Sequence, residues 1–239
     1  MRRLAGLVVL AVVALVTLIL TAFGTGAPKP ASSTAPAPAK RLLPAGPPRP
    51  QVIALQGPLR IQLPVAQSRL TAIGYHGASD GSLALQPLGA QANEGTLSRL
   101  ARSVFGGSHR GLRYYQLSGG GGPATAALNV GAAPGTDVYS PVDGTVVALT
   151  PLIVNGKSFG AEIEIQPSAA PSLIVSLTRL RLDPALTVGS AVAAGTSKLG
   201  AILDFSRVQR QALAKYTQDA GNHVELKVGT GSNPALAAP

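Results

Sequence analysis

The fold is decided by the stretch Gly135-Thr-Asp-Val-Tyr-Ser-Pro-Val-Asp-Gly-Thr-Val-Val147. It holds two short apolar runs around Asp143-Gly144, a dipeptide typical of tight turns between strands. Two further blocks follow in order, Val188-Gly-Ser-Ala-Val-Ala-Ala-Gly195 and Gly221-Asn-His-Val-Glu-Leu-Lys-Val228, and both combine turn glycines with apolar runs. An antiparallel sheet folded over on itself is the simplest way to bury these apolar faces. We therefore predict a mainly β protein built as a folded-over sheet or β-sandwich.

Short apolar runs bounded by Gly, Pro, Asn and Asp recur on both sides of this stretch. Their alternation and their β-branched residues favour strands. We also predict one or two short helices, over residues 96–104, where capping residues precede the run, and over residues 205–216, where apolar side chains recur at helical spacing. The predicted strands are residues 59–63, 70–75, 112–117, 136–139, 144–149, 161–165, 173–177 and 223–228.

The N-terminus predicts a membrane anchor. The run from Leu4 to Phe23 carries no charge, and twenty residues at about 1.5 Å rise span roughly the 30 Å of a hydrocarbon core. We expect an uncleaved, single-pass signal anchor, with cleavage near residues 24–27 as the alternative. Arg2 and Arg3 favour a cytoplasmic N-terminus, so the C-terminal part is expected to lie outside the cytoplasm.

The charge distribution argues against nucleic-acid binding. The net charge is +10, but residues 1–79 hold eight Lys or Arg and no acidic residue. The remaining residues hold twelve basic and ten acidic groups, a net charge of only +2. The basic excess therefore belongs to the membrane-proximal segment, where it meets anionic lipid or wall polymer. The absence of Cys excludes disulfides and thiolate-bound zinc.

The pattern divides the chain into five parts. Residues 1–23 form the anchor, and residues 24–50, with eight Pro, form a linker that favours extended polyproline conformations. Residues 51–118 form a small β-rich module or an extension of the C-terminal sheet. Residues 119–232 form the main β domain, and residues 233–239 form a flexible tail.

The order and spacing of the three blocks resemble the lysostaphin/LytM-type metallopeptidases, which cut peptidoglycan cross-links. The resemblance covers residues 119–232 and implies the folded-over sheet of that family, similar to a barrel-sandwich hybrid. That family holds one zinc with a His and an Asp four residues apart, ahead of the Gly-Thr turn, and with the second His of a late His-x-His pair. The first His of that pair and a mid-domain His act on the attacked water and the oxyanion.

The resemblance places most of these positions on residues that do not suit zinc. The early His and Asp positions fall on Thr125 and Asn129, and the mid-domain His falls on Arg179. In the late pair the first His is His223, and the metal-binding His is replaced by Glu225. We therefore expect no cofactor, and His223 is the best candidate for a catalytic residue. His223, Glu225, Arg179 and Asn129 are predicted to line a polar ligand-binding cleft or, alternatively, an ordinary salt-bridged surface.

The leading hypothesis is a membrane-anchored, non-catalytic domain of the cell envelope. It binds peptidoglycan peptides, or it regulates or scaffolds a wall hydrolase, and it binds no nucleic acid. One alternative is an active zinc endopeptidase with a rearranged site of His76, His109, His223 and Glu225. Another is a periplasmic adaptor of an export system, because residues 140–146 and 188–195 also look like the two halves of a biotinyl/lipoyl-type barrel-sandwich hybrid. No Lys stands at the tip between those halves, which argues against the adaptor.

Overall fold

The computed structural model describes residues 46–93 and 112–231, and these residues are almost entirely strand and turn. The prediction of a mainly β, mostly antiparallel protein is confirmed. The described strands are β1 Val52–Gln56, β2 Leu59–Gln62, β3 Ala72–His76, β4 Gln86–Pro87, β5 Ala90–Gln91, β6 Arg113–Gln116, β7 Ala127–Gly131, β8 Asp137–Tyr139, β9 Gly144–Val154, β10 Lys157–Pro167, β11 Leu173–Leu182, β12 Ala191–Val192, β13 Lys198–Ile202 and β14 His223–Thr230.

The strands form two sheets, and the larger one carries the candidate site. Its strand order is β12-β9-β10-β11-β14-β7-β3-β6-β5, while β13 joins it through β11 and pairs with β8. Its pairs are antiparallel except for β3 with β6 and β5 with β6, which are parallel. The smaller sheet has the order β2-β1-β4. Strands from residues 51–118 and from residues 119–231 therefore belong to one continuous sheet.

One hydrophobic cluster joins the two sheets. Ile53 and Ile61 of the smaller sheet belong to the same buried cluster as Ile163, Leu177 and Leu226 of the larger sheet. Along β10 and β14 buried apolar residues alternate with polar ones, because successive side chains of a strand point to opposite faces. One face of the larger sheet is therefore core, and its other face is free to carry polar side chains.

The first two sequence blocks contact each other directly. Asp143 accepts a hydrogen bond from the backbone N–H of Ala194 through Oδ1, at 2.8 Å, and Ala191 of β12 pairs with Thr145 of β9. The β9–β10 hairpin is longer than the sequence predicted, with eleven residues in each strand. Asn155-Gly156 connects them, and both residues have positive φ, 51° and 74°, as a type I′ hairpin turn requires.

The helix predicted over residues 205–216 is wrong as a continuous helix. The structure has two 3₁₀ turns, Phe205–Arg207 and Ala212–Lys215. Gln211 between them is extended, with φ −88° and ψ 134°. A local side-chain hydrogen bond accompanies this break in the helical pattern, with Gln211 Nε2 donating to the backbone carbonyl of Gln209.

Several predictions fall on residues that the structure does not describe. These are the anchor from Leu4 to Phe23, most of the linker, the helix over residues 96–104, His109 and the tail. Within residues 46–93 and 112–231, no helix is long and apolar enough to cross a membrane.

Candidate functional site

The third sequence block forms β14, the strand at the centre of the candidate site. Val224, Leu226 and Val228 are fully buried in the core. Because side chains alternate along a strand, His223, Glu225 and Lys227 share the opposite face. In the described strand the two residues of the late His-x-Glu pair therefore lie side by side on one surface.

Strand β7 brings Asn129 to this surface, but not Thr125. Glu225 pairs with Asn129 in the β14–β7 register, and Asn129 pairs with Gly74 of β3. Thr125 lies in the turn before β7, and its hydroxyl donates to the carbonyl of Leu85 at 2.6 Å. Two of the positions that the resemblance assigned to metal ligands, Asn129 and Glu225, are therefore neighbours, while the third is bonded elsewhere.

Arg179 reaches the site through a β-bulge. Ala161 pairs with Leu180 and Ile163 with Leu177, so two residues of β11 face Glu162 alone. Arg179 is one of these two, and its φ of 69° is left-handed, a conformation that is costly for a residue with a Cβ. A bulge redirects a side chain relative to strict alternation. The bulge therefore lets Leu180 stay in the core while the Arg179 guanidinium turns toward β14.

Three contacts fix the Arg179 guanidinium. Its Nη2 donates to Glu225 Oε2 at 3.0 Å and its Nη1 donates to Gln211 Oε1 at 2.8 Å. Its Cζ lies 4.6 Å from the centre of the Phe205 ring, within the range of a cation–π interaction. The two 3₁₀ turns that replace the expected helix, together with Gln211 between them, thus supply two of the three contacts.

Glu225 is buried and doubly paired. Its side chain is 10% exposed, and Lys227 Nζ lies 3.4 Å from Oε1, the carboxylate oxygen that Arg179 does not contact. Burial acts to raise the pKa of Glu225, but Arg179 and then Lys227 outweigh it, so the pKa lies below its ordinary value. Glu225 is therefore a carboxylate at neutral pH, and its charge is balanced by fixed cations of the protein.

His223 is neutral at neutral pH and presents a lone pair. Burial and the nearby Arg179 lower the pKa of His223 to about 4. Its Nδ1 lies 2.9 Å from the carbonyl oxygen of Gly221. Because a carbonyl only accepts hydrogen bonds, Nδ1 carries the proton and Nε2 is left as an acceptor. That Nε2 is buried and has no hydrogen-bond partner in the described part of the chain.

His76 joins the site from β3. Its Nδ1 lies 2.7 Å from the carbonyl oxygen of Gly77, and its Nε2 lies 3.9 Å from Glu225 Oε2. His76 pairs with Ala127 of β7, and Ala127 also pairs with Lys227 of β14. His76 and Lys227 therefore lie on either side of the same β7 residue. Of the residues considered for a rearranged site, the structure thus groups His76, His223 and Glu225.

The site residues that the structure describes do not fit zinc. Within the described ranges, no group of three or more His, Asp or Glu residues is arranged to hold a metal ion. Asn129 offers an amide instead of a carboxylate, and Thr125 points to Leu85. The oxygen of Glu225 nearest to His76 already accepts from the Arg179 guanidinium. The carboxylate that would have to bind a metal is thus already bonded to a cation of the protein.

A polar groove continues from the site across β14, β11 and β10. It has a volume of about 730 Å³, within the usual range for ligand pockets. Lys227 connects the two regions, since it contacts Glu225 and also donates to Asp80 Oδ2 at 2.8 Å. The lining residues are Asp80, Gly81, Ser82, Val147, Glu162, Glu164, Gln166, Pro171, Ile174, Ser176, Lys227, Gly229, Thr230 and Gly231.

Sequence reasoning missed Gln211, Phe205, Lys227 and the groove as parts of the site. Lys227 follows from the two-residue alternation that already placed His223 beside Glu225, so the signal was available. Gln211 and Phe205 carried no such signal, because a continuous helix was expected where they lie.

Comparison with known proteins gives partial structural likenesses only. No protein-family model matches the chain, and no curated protein matches its sequence significantly. A structure of Helicobacter pylori Csd3 is 16% identical over 73% of this chain, with a TM-score of 0.36, and the chain covers 31% of it. In a second Csd3 crystal form that share is 24%, so the chain spans less than a third of Csd3.

Two further structures are similar over most of their length. The M23 metalloprotease pseudoalterin, of deep-sea origin, is 15% identical over 72% of both chains, with a TM-score of 0.38. A chain of the SpoIIQ–SpoIIIAH pore-forming complex is 16% identical over 74% of this chain and 89% of its own, with a TM-score of 0.39. All of these likenesses lie below 25% identity and below a TM-score of 0.5, so they assign neither a family nor an activity.

Proposed function

We propose that this chain is a membrane-anchored cell-envelope protein whose β domain binds peptides of the cell wall without cutting them. The observation that carries the proposal is the contact of Arg179 with Glu225 at 3.0 Å. Glu225 stands where the LytM-type resemblance places a zinc ligand. A guanidinium bonded to it supplies a fixed positive charge, but no open coordination position at which water ionises.

The site offers a peptide both donors and acceptors. Arg179 has five N–H donors, and its described hydrogen bonds to protein groups go to Gln211 and Glu225. His223 Nε2 and Asn129 Oδ1 are acceptors without described partners. The adjoining groove of about 730 Å³ gives an extended chain of a few residues room along the sheet. Directional polar groups beside such a groove are the usual basis of peptide recognition.

The envelope location rests on the sequence. The anchor predicted from Leu4 to Phe23 attaches the chain to the cell membrane, with its C-terminal part outside the cytoplasm. The last residues of the predicted linker pack on the domain, since Pro48 is buried and Arg49 hydrogen-bonds to Gln67. The 22 residues before them, 24–45, reach roughly 70 Å at about 3.1 Å per residue. A domain held at that distance is placed to contact wall polymer, and to position or regulate a hydrolase that acts on the same peptides.

Sedimentation with purified peptidoglycan tests the proposal. Detergent-solubilised full-length protein is mixed with insoluble peptidoglycan and centrifuged, and the bound fraction is measured against protein concentration. Arg179→Gln is expected to weaken binding about tenfold or more, because a charge-assisted hydrogen bond contributes about 1.5–3 kcal/mol. Arg181→Gln is the matched control, since Arg181 lies on the same strand and is exposed.

Wild-type protein that stays in the supernatant at every concentration would overturn the proposal. If Arg179→Gln and Arg181→Gln bind peptidoglycan equally well, the site around Arg179 and Glu225 is not where peptidoglycan binds. A zinc-dependent release of soluble peptides from the pellet would instead favour the rearranged-site endopeptidase.

A further inference from the structure

Two buried acceptors at the site lack a donor. His223 Nε2 and Asn129 Oδ1 have no hydrogen-bond partner within residues 46–93 and 112–231. His223 is 2% exposed and Asn129 is 3% exposed. A buried polar atom without a partner costs free energy, so native proteins satisfy such atoms with protein, water or ligand. Two of them on neighbouring strands indicate a place for a hydrogen-bond donor.

Both acceptors belong to the face of the sheet that bears the groove. His223, Glu225 and Lys227 lie at alternate positions of β14, and Lys227 lines the groove. Asn129 pairs with Glu225, and His223 pairs with Gly131, which lies two residues from Asn129 along β7. His223 and Asn129 are therefore diagonal neighbours across β14 and β7, a relation in which side chains reach a common group.

Apolar side chains cover this surface on the side of β3. A Cβ on Gly74, the register partner of Asn129, would meet Leu213 Cδ2 at 3.0 Å and Leu117 Cδ1 at 2.8 Å. Leu213 is fully buried in a cluster with Leu117 and Ala72. These side chains cover the β3 end of the surface. The β3 side of Asn129 is therefore closed, and the groove lies along β14 beyond Glu225, where Lys227 lines it.

The charge of the groove favours a cation. Among the residues that line the groove, the carboxylates of Asp80, Glu162 and Glu164 outnumber the cation Lys227 by two. Lys227 contacts Asp80 and Glu225, and Arg179 contacts Glu225. Glu162 and Glu164 form no ion pair with any described residue. A ligand that brings a positive charge therefore reduces the excess negative charge of the groove.

Together these features define the group that the site accepts. It donates N–H bonds to two acceptors, it carries positive charge, and it is attached to a chain that fills a groove. We infer that the buried end of the site binds a protonated amine of the wall peptide, through Asn129 Oδ1 and His223 Nε2, with the charge balanced by the groove carboxylates Glu162 and Glu164. This inference rests on the proposed function and names the ligand group that it requires.

Calorimetric titration of the full-length protein with four forms of one peptide tests the inference. The probe is a synthetic lysine-containing stem pentapeptide with both amines free, with the terminal amine acetylated, with the lysine amine acetylated, or with both acetylated. Acetylation removes the charge and most of the N–H donors. We expect one of the two single acetylations to weaken binding about tenfold or more, which identifies whether the terminal or the side-chain amine is bound.

Two substitutions at Asn129 are expected to act in opposite directions. Asn129→Leu, which is similar in volume, is expected to bind the free-amine peptide about tenfold more weakly and to lose the discrimination against its acetylated form. Asn129→Asp adds a carboxylate and is expected to bind the free-amine peptide about tenfold more tightly. Thermal unfolding of both variants shows whether they are folded. If a variant does not fold, the four peptides titrated into the wild-type protein still decide whether an amine is bound.

The outcomes separate the inference from the function on which it rests. Equal affinity of the wild-type protein for all four peptides overturns the amine inference and leaves peptide binding intact. Failure of every form to bind, together with failure to sediment with peptidoglycan, overturns both. Unchanged discrimination in both Asn129 variants overturns the assignment to this end of the site.

Discussion

Replacing Arg179 with Met is expected to destabilise the domain by leaving Glu225 as an underpaired buried carboxylate. Met is similar in length, so the stem still fills its space while the guanidinium is removed. The backbone conformation at this position, with φ of 69°, costs Met about as much as Arg, because both carry a Cβ. The substitution therefore reports on the charged group and its contacts rather than on the bulge.

The magnitude follows from burial and from the remaining cation. Removing one partner of a fully buried ion pair costs about 3–5 kcal/mol. Here the Arg179 side chain is 19% exposed and Lys227 still lies 3.4 Å from Glu225 Oε1, so the loss is smaller. The contact with Phe205 adds about 0.5–1 kcal/mol. We expect Arg179→Met to lower the free energy of unfolding by about 2–3 kcal/mol at pH 7.

The loss is expected to depend on pH with a definite sign. The pKa of Glu225 in the folded protein lies below its ordinary value of 4.5, so pairing stabilises the fold above that value and the stabilisation is lost as the pH falls through the folded-state pKa. In Arg179→Met the largest factor that lowers this pKa is gone. The difference between wild type and variant is therefore largest at neutral pH. It shrinks as the pH falls, first because Arg179 also lowers the pKa of His223, and then as Glu225 is protonated.

Urea unfolding followed by circular dichroism, between pH 7 and pH 4, measures this difference. Arg181→Met is the matched control, expected to change stability by less than about 0.5 kcal/mol because Arg181 is exposed. Combining Arg179→Met with Glu225→Met is expected to recover much of the loss, since both charges are then absent. An Arg179→Met loss equal to that of the control, or one that is independent of pH, would show that the guanidinium does not stabilise the buried Glu225 carboxylate.

Three further outcomes are expected. Because the pKa of His223 is lowered to about 4, the free energy of unfolding is expected to fall as the pH drops from about 6.5 to about 4. In urea unfolding, His223→Gln should remove on the order of 3 kcal/mol of that change. An unaltered pH profile in this variant would contradict the expectation. A chelator should leave both the thermal midpoint and peptidoglycan sedimentation unchanged, whereas a drop in either indicates a resident metal. Glu164→Gln should weaken binding of a free-amine peptide severalfold at low salt and less at high salt, and salt-independent weakening would show that Glu164 does not act by charge.

The strands and the polar face of β14 were predictable because they depend on local pattern. Alternation along residues 223–228 placed His223 beside Glu225, and the order of turns predicted an antiparallel sheet. That Asn129 lies next to Glu225 was predicted only through the family resemblance. It depends on the register between β7 and β14, which the sequence of neither strand contains.

The remaining parts of the site depend on tertiary structure. Arg179 reaches Glu225 through a left-handed bulge residue, and nothing in an Arg at that position signals such a conformation. His76 enters because β3 pairs with β7, a strand that begins about fifty residues later in the sequence. Gln211 is a partner of Arg179 because it is extended between two short turns, where a continuous helix was expected.

The central claim is that this β domain binds wall peptide and does not cut it. The most direct measurement incubates full-length protein with purified, cross-linked peptidoglycan, with and without added zinc, and quantifies both the protein in the pellet and the peptides released to the supernatant. We expect saturable binding, about tenfold weaker for Arg179→Gln, with no release of peptides under either condition. Release of peptides that depends on zinc, or an absence of binding by the wild-type protein, would contradict it.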